Sequence, residues 1–281
     1  MNQIHIAEVE SYEQIIAAID EYVSVFKLHG ALVFRGTNLS RHEQLQITRL
    51  FGDHLNLFPN SSKESSSWSY EESHKATLDH SGNVSKNEIL VSWHLEHFGF
   101  PNPALGASWN MEKFTCQSGC GLTVFVDTSD IFQQLDNTQQ EFLRKCKIAA
   151  FPIMNSEDSP PNTQSVFNVI QAHEYSAKEI IRMPVENSRR SASLIEFDGR
   201  QPSRAEQKQL LHYEELFQEH IFQNERIRQV HDWKEKDLLI VDLMIMVHAV
   251  LGGFVDTERS FHGLWMHRLN TSKWGHNGHV N

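Results

Sequence analysis

From Ile89 to Glu96 the chain reads ILVSWHLE, and apolar residues recur at every second position. Side chains i and i+2 of a β-strand point to the same side. Ile89, Val91, Trp93 and Leu95 therefore share one face, and Leu90, Ser92, His94 and Glu96 share the other. This is the tightest local constraint in the sequence. It demands a strand with an apolar side, and on the opposite side it sets an imidazole beside a carboxylate.

The remaining pattern alternates helices with short buried strands. Ile15, Ile16, Ile19, Val23 and Phe26 recur at helical spacing across residues 8–28, and Gly30 is a suitable stop. Gly30 to Gly36 (GALVFRG) reads as a buried strand. Ser40 and Glu43 form a candidate capping box for a helix ending near Phe51 and Gly52. Residues 59–88 are rich in Ser, Asn, Lys and Glu and read as a surface loop. A second strand fits Leu122 to Val126, with two short helical stretches between Ser129 and Cys146. Pro160, Pro161 and Gly199 mark residues 155–200 as an irregular insertion with a short strand, a candidate lid. Ser203 and Glu206 open another helix, to about Phe222, and Asp237 to Asp242 (DLLIVD) is a short buried strand. With no internal repeat and no linker, the 281 residues read as a single domain.

Composition excludes several classes. Hydrophobic residues at 40% and charged residues at 22% suit a globular core. A net charge of -11 with no basic stripe argues against nucleic acid. No apolar run reaches membrane-span length, and the N-terminus lacks a basic region followed by an apolar one, so the expectation is a cytoplasmic protein without a membrane partner. Cys116, Cys120 and Cys146 are odd in number and form no CxxC pair, which supports neither a disulfide framework nor a structural zinc site.

His94-x-Glu96 is chemically suggestive, although any strand can carry such a pair. Two histidines and one carboxylate on one face of an octahedron leave three positions open, the ligand set of non-haem iron(II) oxygenases. The third ligand must then be a distant histidine, which spacing alone does not identify; His97 competes with His94, although it lies on the opposite strand face from Glu96.

The surrounding residues carry a resemblance. WHLEHFGFPNP, from Trp93, resembles the WHxD/E segment of the taurine dioxygenase-like family of 2-oxoglutarate oxygenases. HGALVFRGTNLSRHEQLQITRLFGDH (His29 to His54) looks like that family's opening strand and helix. CGLTVFVD (Cys120 to Asp127) is similar to its GGDTxxxD segment, and DLLIVDLMIMVHA (Asp237 to Ala249) to its GDLxxxDNxxxxH pattern. The four matches fall in the family's order and span most of the chain.

The resemblance implies a mainly β fold with flanking helices, a double-stranded β-helix or jelly roll. It implies Fe(II), with 2-oxoglutarate and O2 as cosubstrates, held by His94, Glu96 and His248, with His262 and His267 competing for the place of His248. By the same resemblance Thr123 and Arg259 bind the cosubstrate's far carboxylate, with Arg268 the substitute for Arg259. The chemistry is consistent: a guanidinium offers a planar fork for a carboxylate and a threonine hydroxyl adds a donor. Glu96 in place of Asp is similar to the clavaminate synthase and amino-acid hydroxylase branch. Leu122 and Leu243 stand where many relatives have Asp and Asn, and Gly263 stands where sulfonate-using relatives carry a second arginine. The implied reaction is oxidation, by default hydroxylation, of a small amino acid or amino-acid-derived metabolite, free or attached to a carrier, with release of succinate and CO2. Desaturation would use the same ligands. The alternatives from other classes are a non-catalytic β-barrel that binds a metal or small molecule, and a zinc-dependent hydrolase. A homo-oligomer is the base-rate expectation.

Overall fold

A computed structural model describes residues 2–59, 88–96, 98–100, 103–116, 118–150, 165–185, 192–254 and 259–267. Sixteen strands among them form two large and two small sheets. The six-stranded sheet runs β2 (His5–Glu8), β3 (Ala31–Arg35), β14 (Leu238–Asp242), β6 (Gly106–Phe114), β16 (Arg259–His267) and β4 (Phe58–Pro59). The five-stranded sheet runs β1 (Asn2–Gln3), β13 (Arg228–His231), β7 (Thr123–Asp127), β15 (Met246–Leu251) and β5 (Ile89–His94). A three-stranded sheet of β12 (Ala192–Phe197), β8 (Cys146–Ala150) and β9 (Ser165–Asn168), and a pair of β10 (Ile170–Ala172) with β11 (Glu179–Ile181), complete the set.

The N-terminal helical pattern is interrupted. Helix α1 (Tyr12–Ala17), capped by Ser11, stops at Ala18, and α2 (Ile19–His29) restarts there. Gly30 ends α2 in the left-handed conformation at φ 72°. A Cβ at that position would lie 2.7 Å from the flexible end of Met246, which would have to shift, so the backbone angle is the stronger reason for glycine. Helix α3 (Arg41–His54) begins with the expected capping box: the Glu43 N–H donates to Ser40 Oγ and the Ser40 N–H donates to Glu43 Oε2. Helices α4 (Thr128–Gln134), α5 (Asn137–Arg144) and α6 (Arg204–Gln223) follow, the last again opened by a Ser203/Glu206 capping box. None of the described helices is long and apolar enough to cross a membrane.

The five-stranded sheet explains the alternation read at Ile89 to Glu96. Its outward residues Trp93, Val124, Val126, Val247 and Ala249 enter one apolar cluster with Phe217 and Ile221 of α6 and Ile148 of β8. Its other face carries His94, Thr123, Phe125 and His248 towards the six-stranded sheet, where Phe125 and Met246 join the larger core with Trp109, Met111 and Phe261. His94, Thr123 and His248 thus lie between the two large sheets.

Residues 165–197 differ from the irregular reading. Four short strands, β9 to β12, occupy the described parts of this stretch: β9 and β12 pair with β8, β10 pairs with β11, and Ile170, Ile180, Ile181 and Leu194 are buried. Strand β6 was also not read. The loop read at 59–88 lies, from residue 60 to 87, outside the described residues, as do Pro160 and Pro161.

Candidate metal centre

Strand pairing brings the centre together. His248 on β15 stands directly across from His94 on β5, their rings 4.2 Å apart between centroids. Glu96 is not on the strand: β5 ends at His94, and Glu96 lies two residues on, in a turn. Its carboxylate nevertheless turns back, with Oε2 3.1 Å from His94 Nε2 and 3.8 Å from His248 Nε2. One donor atom from each of the three lies within 4.8 Å of the others. Adjacent ligands of a six-coordinate ion at bond lengths of about 2.1 Å are about 3 Å apart. Two imidazole nitrogens and one carboxylate oxygen at these separations fit Fe(II).

His248 is 1% exposed in its side chain, whereas His94 and Glu96 are each about one-fifth open to solvent, so the site has one accessible side. The Ser92 carbonyl lies 2.7 Å from His94 Nδ1, which orients the ring and directs Nε2 at Glu96. Burial pushes the His94 imidazole down, but the Glu96 carboxylate and the Ser92 carbonyl outweigh it and hold the pKa above its ordinary value.

Thr123 and Arg259 meet close by, from opposite sheets. Arg259 Nη2 donates to Thr123 Oγ1 at 3.3 Å, and Trp233 Nε1 donates to the same oxygen at 2.8 Å. The guanidinium is almost fully buried and lies over three rings, Trp233, Phe254 and Phe261, at 5.8, 5.4 and 5.5 Å from their centroids. A buried guanidinium and a threonine hydroxyl side by side suit the binding of an anion. Behind them, Asp237 accepts from Arg35 Nε and Nη2 at 2.9 and 2.8 Å and lies 3.2 Å from His231 Nε2. Burial lowers the His231 pKa and Asp237 only partly offsets this; Asp237, which burial alone would raise, is held below the ordinary carboxylate range by Arg35 and His231.

The wall facing His248 is aromatic. Phe125, its cross-strand neighbour on β7, lies 5.7 Å away between ring centroids, and Trp109 of β6 lies 5.4 Å away. Gly263 pairs with Trp109 across β6 and β16. A second buried polar group braces β15. Asp242 accepts from the backbone N–H of Met244 and Ile245, lies 2.8 Å from His173 Nε2, and accepts from the Tyr175 hydroxyl.

The structure thus gathers all five residues singled out by the sequence. The competing histidines lie elsewhere: His262 Nδ1 is 2.8 Å from Gln44 Oε1, and neither it nor His267 joins the metal-capable cluster among the described residues. His97 and Arg268 lie outside the described residues. Trp109, Trp233 and His231 escaped the sequence reading. For Trp109 the available signal was the alternation of Ala107, Trp109 and Met111 against Ser108 and Asn110. Burial raises the Cys146 thiol to about 12.

Comparison with known proteins bears on the fold and the family. No curated protein sequence matches the chain. Among solved structures it is similar to AAD-2 in complex with Mn(II) and N-oxalylglycine, at 15% identity and a TM-score of 0.63 over 96% of both chains. It is also similar to a taurine dioxygenase from Burkholderia xenovorans, at 13% identity and a TM-score of 0.66, over 95% of this chain and 89% of that one. At such identities the likeness concerns the fold. The family described as "Taurine catabolism dioxygenase TauD, TfdA family" matches residues 6–268, nearly the whole sequence. The chain therefore belongs to the TauD/TfdA family and is an Fe(II)- and 2-oxoglutarate-dependent oxygenase.

Proposed function

We propose that His94, Glu96 and His248 hold the Fe(II), that Arg259 and Thr123 bind the far carboxylate of 2-oxoglutarate, and that the enzyme hydroxylates a small amino acid or amino-acid-derived metabolite, free or carrier-attached. The observation that carries this reading is the convergence of the three donor atoms within 4.8 Å, on the same inter-sheet face as the buried Arg259–Thr123 pair. When bound, the metal and cosubstrate supply the oxidising chemistry, with O2 consumed and succinate and CO2 released.

The protein's own groups have separable tasks. His248, buried at the centre of β15, fixes one ligand rigidly, and His94 is aimed by Ser92. Glu96 reaches back from a turn, a gap that the extra methylene of Glu over Asp helps to span, which supports placement in the clavaminate synthase-like branch. Arg259 anchors a dicarboxylate by its far end and so sets the distance of the near end from the three ligands. Phe125, Trp109 and Phe261 keep water from the inner wall. Gly263 supplies no cationic group for a sulfonate, which supports a substrate of another kind.

We read the two large sheets as the halves of a jelly roll, and residues 155–200 as part of the same domain. The described strands of that stretch are tied to the core by His173 and Tyr175 on Asp242 and by Arg182, which donates to the Leu243 and Met244 carbonyls.

Succinate release tests the function. With Fe(II), 2-oxoglutarate and O2, a panel of amino acids and their derivatives should include at least one compound that stimulates succinate formation and gains one oxygen atom. His94→Ala, Glu96→Ala and His248→Ala should each abolish that formation. A panel in which only a sulfonate stimulates it, or stimulation without oxygen gain, contradicts the substrate or the reaction proposed.

A further inference from the structure

The indole of Trp109 carries a polar atom that the fold leaves unsatisfied. Trp109 is 3% exposed, and among the described residues its Nε1–H has no hydrogen-bond partner. Burying such a donor without an acceptor is costly, and folded proteins seldom do so without a water, ion or ligand to complete the bond. Position also matters here. The ring is 5.4 Å from that of His248 and 6.0 Å from that of Phe261. Its N–H edge faces the gap over Gly263, where a Cβ would lie 3.3 Å from Cδ1 and 3.6 Å from Nε1. Glycine at 263 thus leaves open the space that the donor addresses.

Resting on the assignment of 2-oxoglutarate to Arg259 and Thr123, we infer that the Trp109 Nε1–H donates a hydrogen bond to a carboxylate oxygen of the bound cosubstrate. The far carboxylate already has a guanidinium and a hydroxyl. Trp109 lies against the ring of a metal ligand, so the oxygen it serves belongs to the 2-oxoacid end. A neutral donor there orients the carboxylate without adding charge to the metal centre. Gly263 and Trp109 act as a unit: the smallest residue on β16 admits the largest on β6, and the pair sets the indole beside the ring of His248.

The test uses full-length protein loaded with Zn(II), which prevents turnover. With tryptophan labelled by 15N, the six indole N–H groups are followed as 2-oxoglutarate is added. The Trp109 signal is the one missing from Trp109→Phe. It should move downfield more than the others and saturate with the calorimetric binding curve. Trp109→Phe should weaken 2-oxoglutarate binding about tenfold or more, the range for a hydrogen bond to a charged acceptor. Gly263→Ala, which retains every tryptophan and crowds the same gap, should also weaken binding, so the inference stays testable if Trp109→Phe misfolds. A Trp109 signal that stays still, with Trp109→Phe binding within twofold of wild type, overturns the inference. So does a signal that moves only on adding an amino-acid substrate. Failure of the wild-type protein to bind 2-oxoglutarate overturns instead the assignment on which the inference rests.

Discussion

Replacing Arg259 with Gln removes one positive charge and the guanidinium fork while keeping most of the side chain's length. A carboxylate about 4 Å from a cation interacts by about 4 kcal/mol at the effective dielectric of about 20 that suits partly buried groups. Hydrogen bonds to charged groups contribute about 1.5–3 kcal/mol, overlapping with rather than adding to that figure. The net loss should therefore fall at about 2–4 kcal/mol, or about 30- to 1,000-fold in the dissociation constant for 2-oxoglutarate. Arg259→Lys keeps the charge but not the fork and should fall between wild type and Arg259→Gln. Removing the cation from the rings of Trp233, Phe254 and Phe261 should also cost about 1–2 kcal/mol of stability, read as a drop of a few degrees in Tm. Calorimetry on protein loaded with Mn(II), paired with thermal melts, separates the two effects. A folded Arg259→Gln enzyme that binds 2-oxoglutarate within threefold of wild type would refute the anchoring role.

Three further outcomes follow from buried polar groups. Thr123→Val deletes the acceptor of the Trp233 N–H and should cost about 1–3 kcal/mol in urea denaturation, besides weakening 2-oxoglutarate binding; no stability change would mean that the bond at 2.8 Å contributes nothing. Asp242→Ala strips His173, Tyr175 and two backbone N–H groups of their shared partner and should cost about 3–5 kcal/mol, measured in the same way. Stability should fall on acidification. His231 has a depressed folded pKa, so the unfolded chain takes up a proton from about pH 6.5 downward while the folded imidazole does not. Asp237, also depressed, stabilises above its ordinary value of about 3.9 and loses that contribution as pH falls through the folded value. His231→Gln should therefore flatten the slope of stability between pH 7 and 5, by at most about 1.4 kcal/mol per pH unit; an unchanged slope would contradict the assignment.

Legibility in the sequence followed the range of the interactions. His94 was readable because strand periodicity is local, and the capping boxes at Ser40 and Ser203 because their partners lie three residues away. His248, Thr123 and Arg259 have no local signature and came only from resemblance, since their meeting depends on strand pairing across the chain. Glu96 was placed correctly beside His94 for a reason that was only partly right: the strand ends before it, and the turn completes the approach. In strand β6, Ser108 and Asn110 are buried, whereas Glu112 and Lys113 are exposed. The alternation of Ala107, Trp109 and Met111 with Ser108 and Asn110 is present, but Ser108, which accepts from Gln44 Nε2 and lies 2.7 Å from Thr48 Oγ1, is buried like its apolar neighbours, and that depends on partners distant in the chain. The strands of residues 165–197 depend likewise on partners in β8 and on Asp242.

The central claim is that His94, Glu96 and His248 form one iron site next to a 2-oxoglutarate anchor. Anaerobic addition of one equivalent of Fe(II), followed by 2-oxoglutarate, should produce a weak visible charge-transfer band in the wild-type protein. The band should be absent from Glu96→Ala and His248→Ala. A wild-type protein that shows no band, or a band that persists undiminished in those two variants, would contradict the site described.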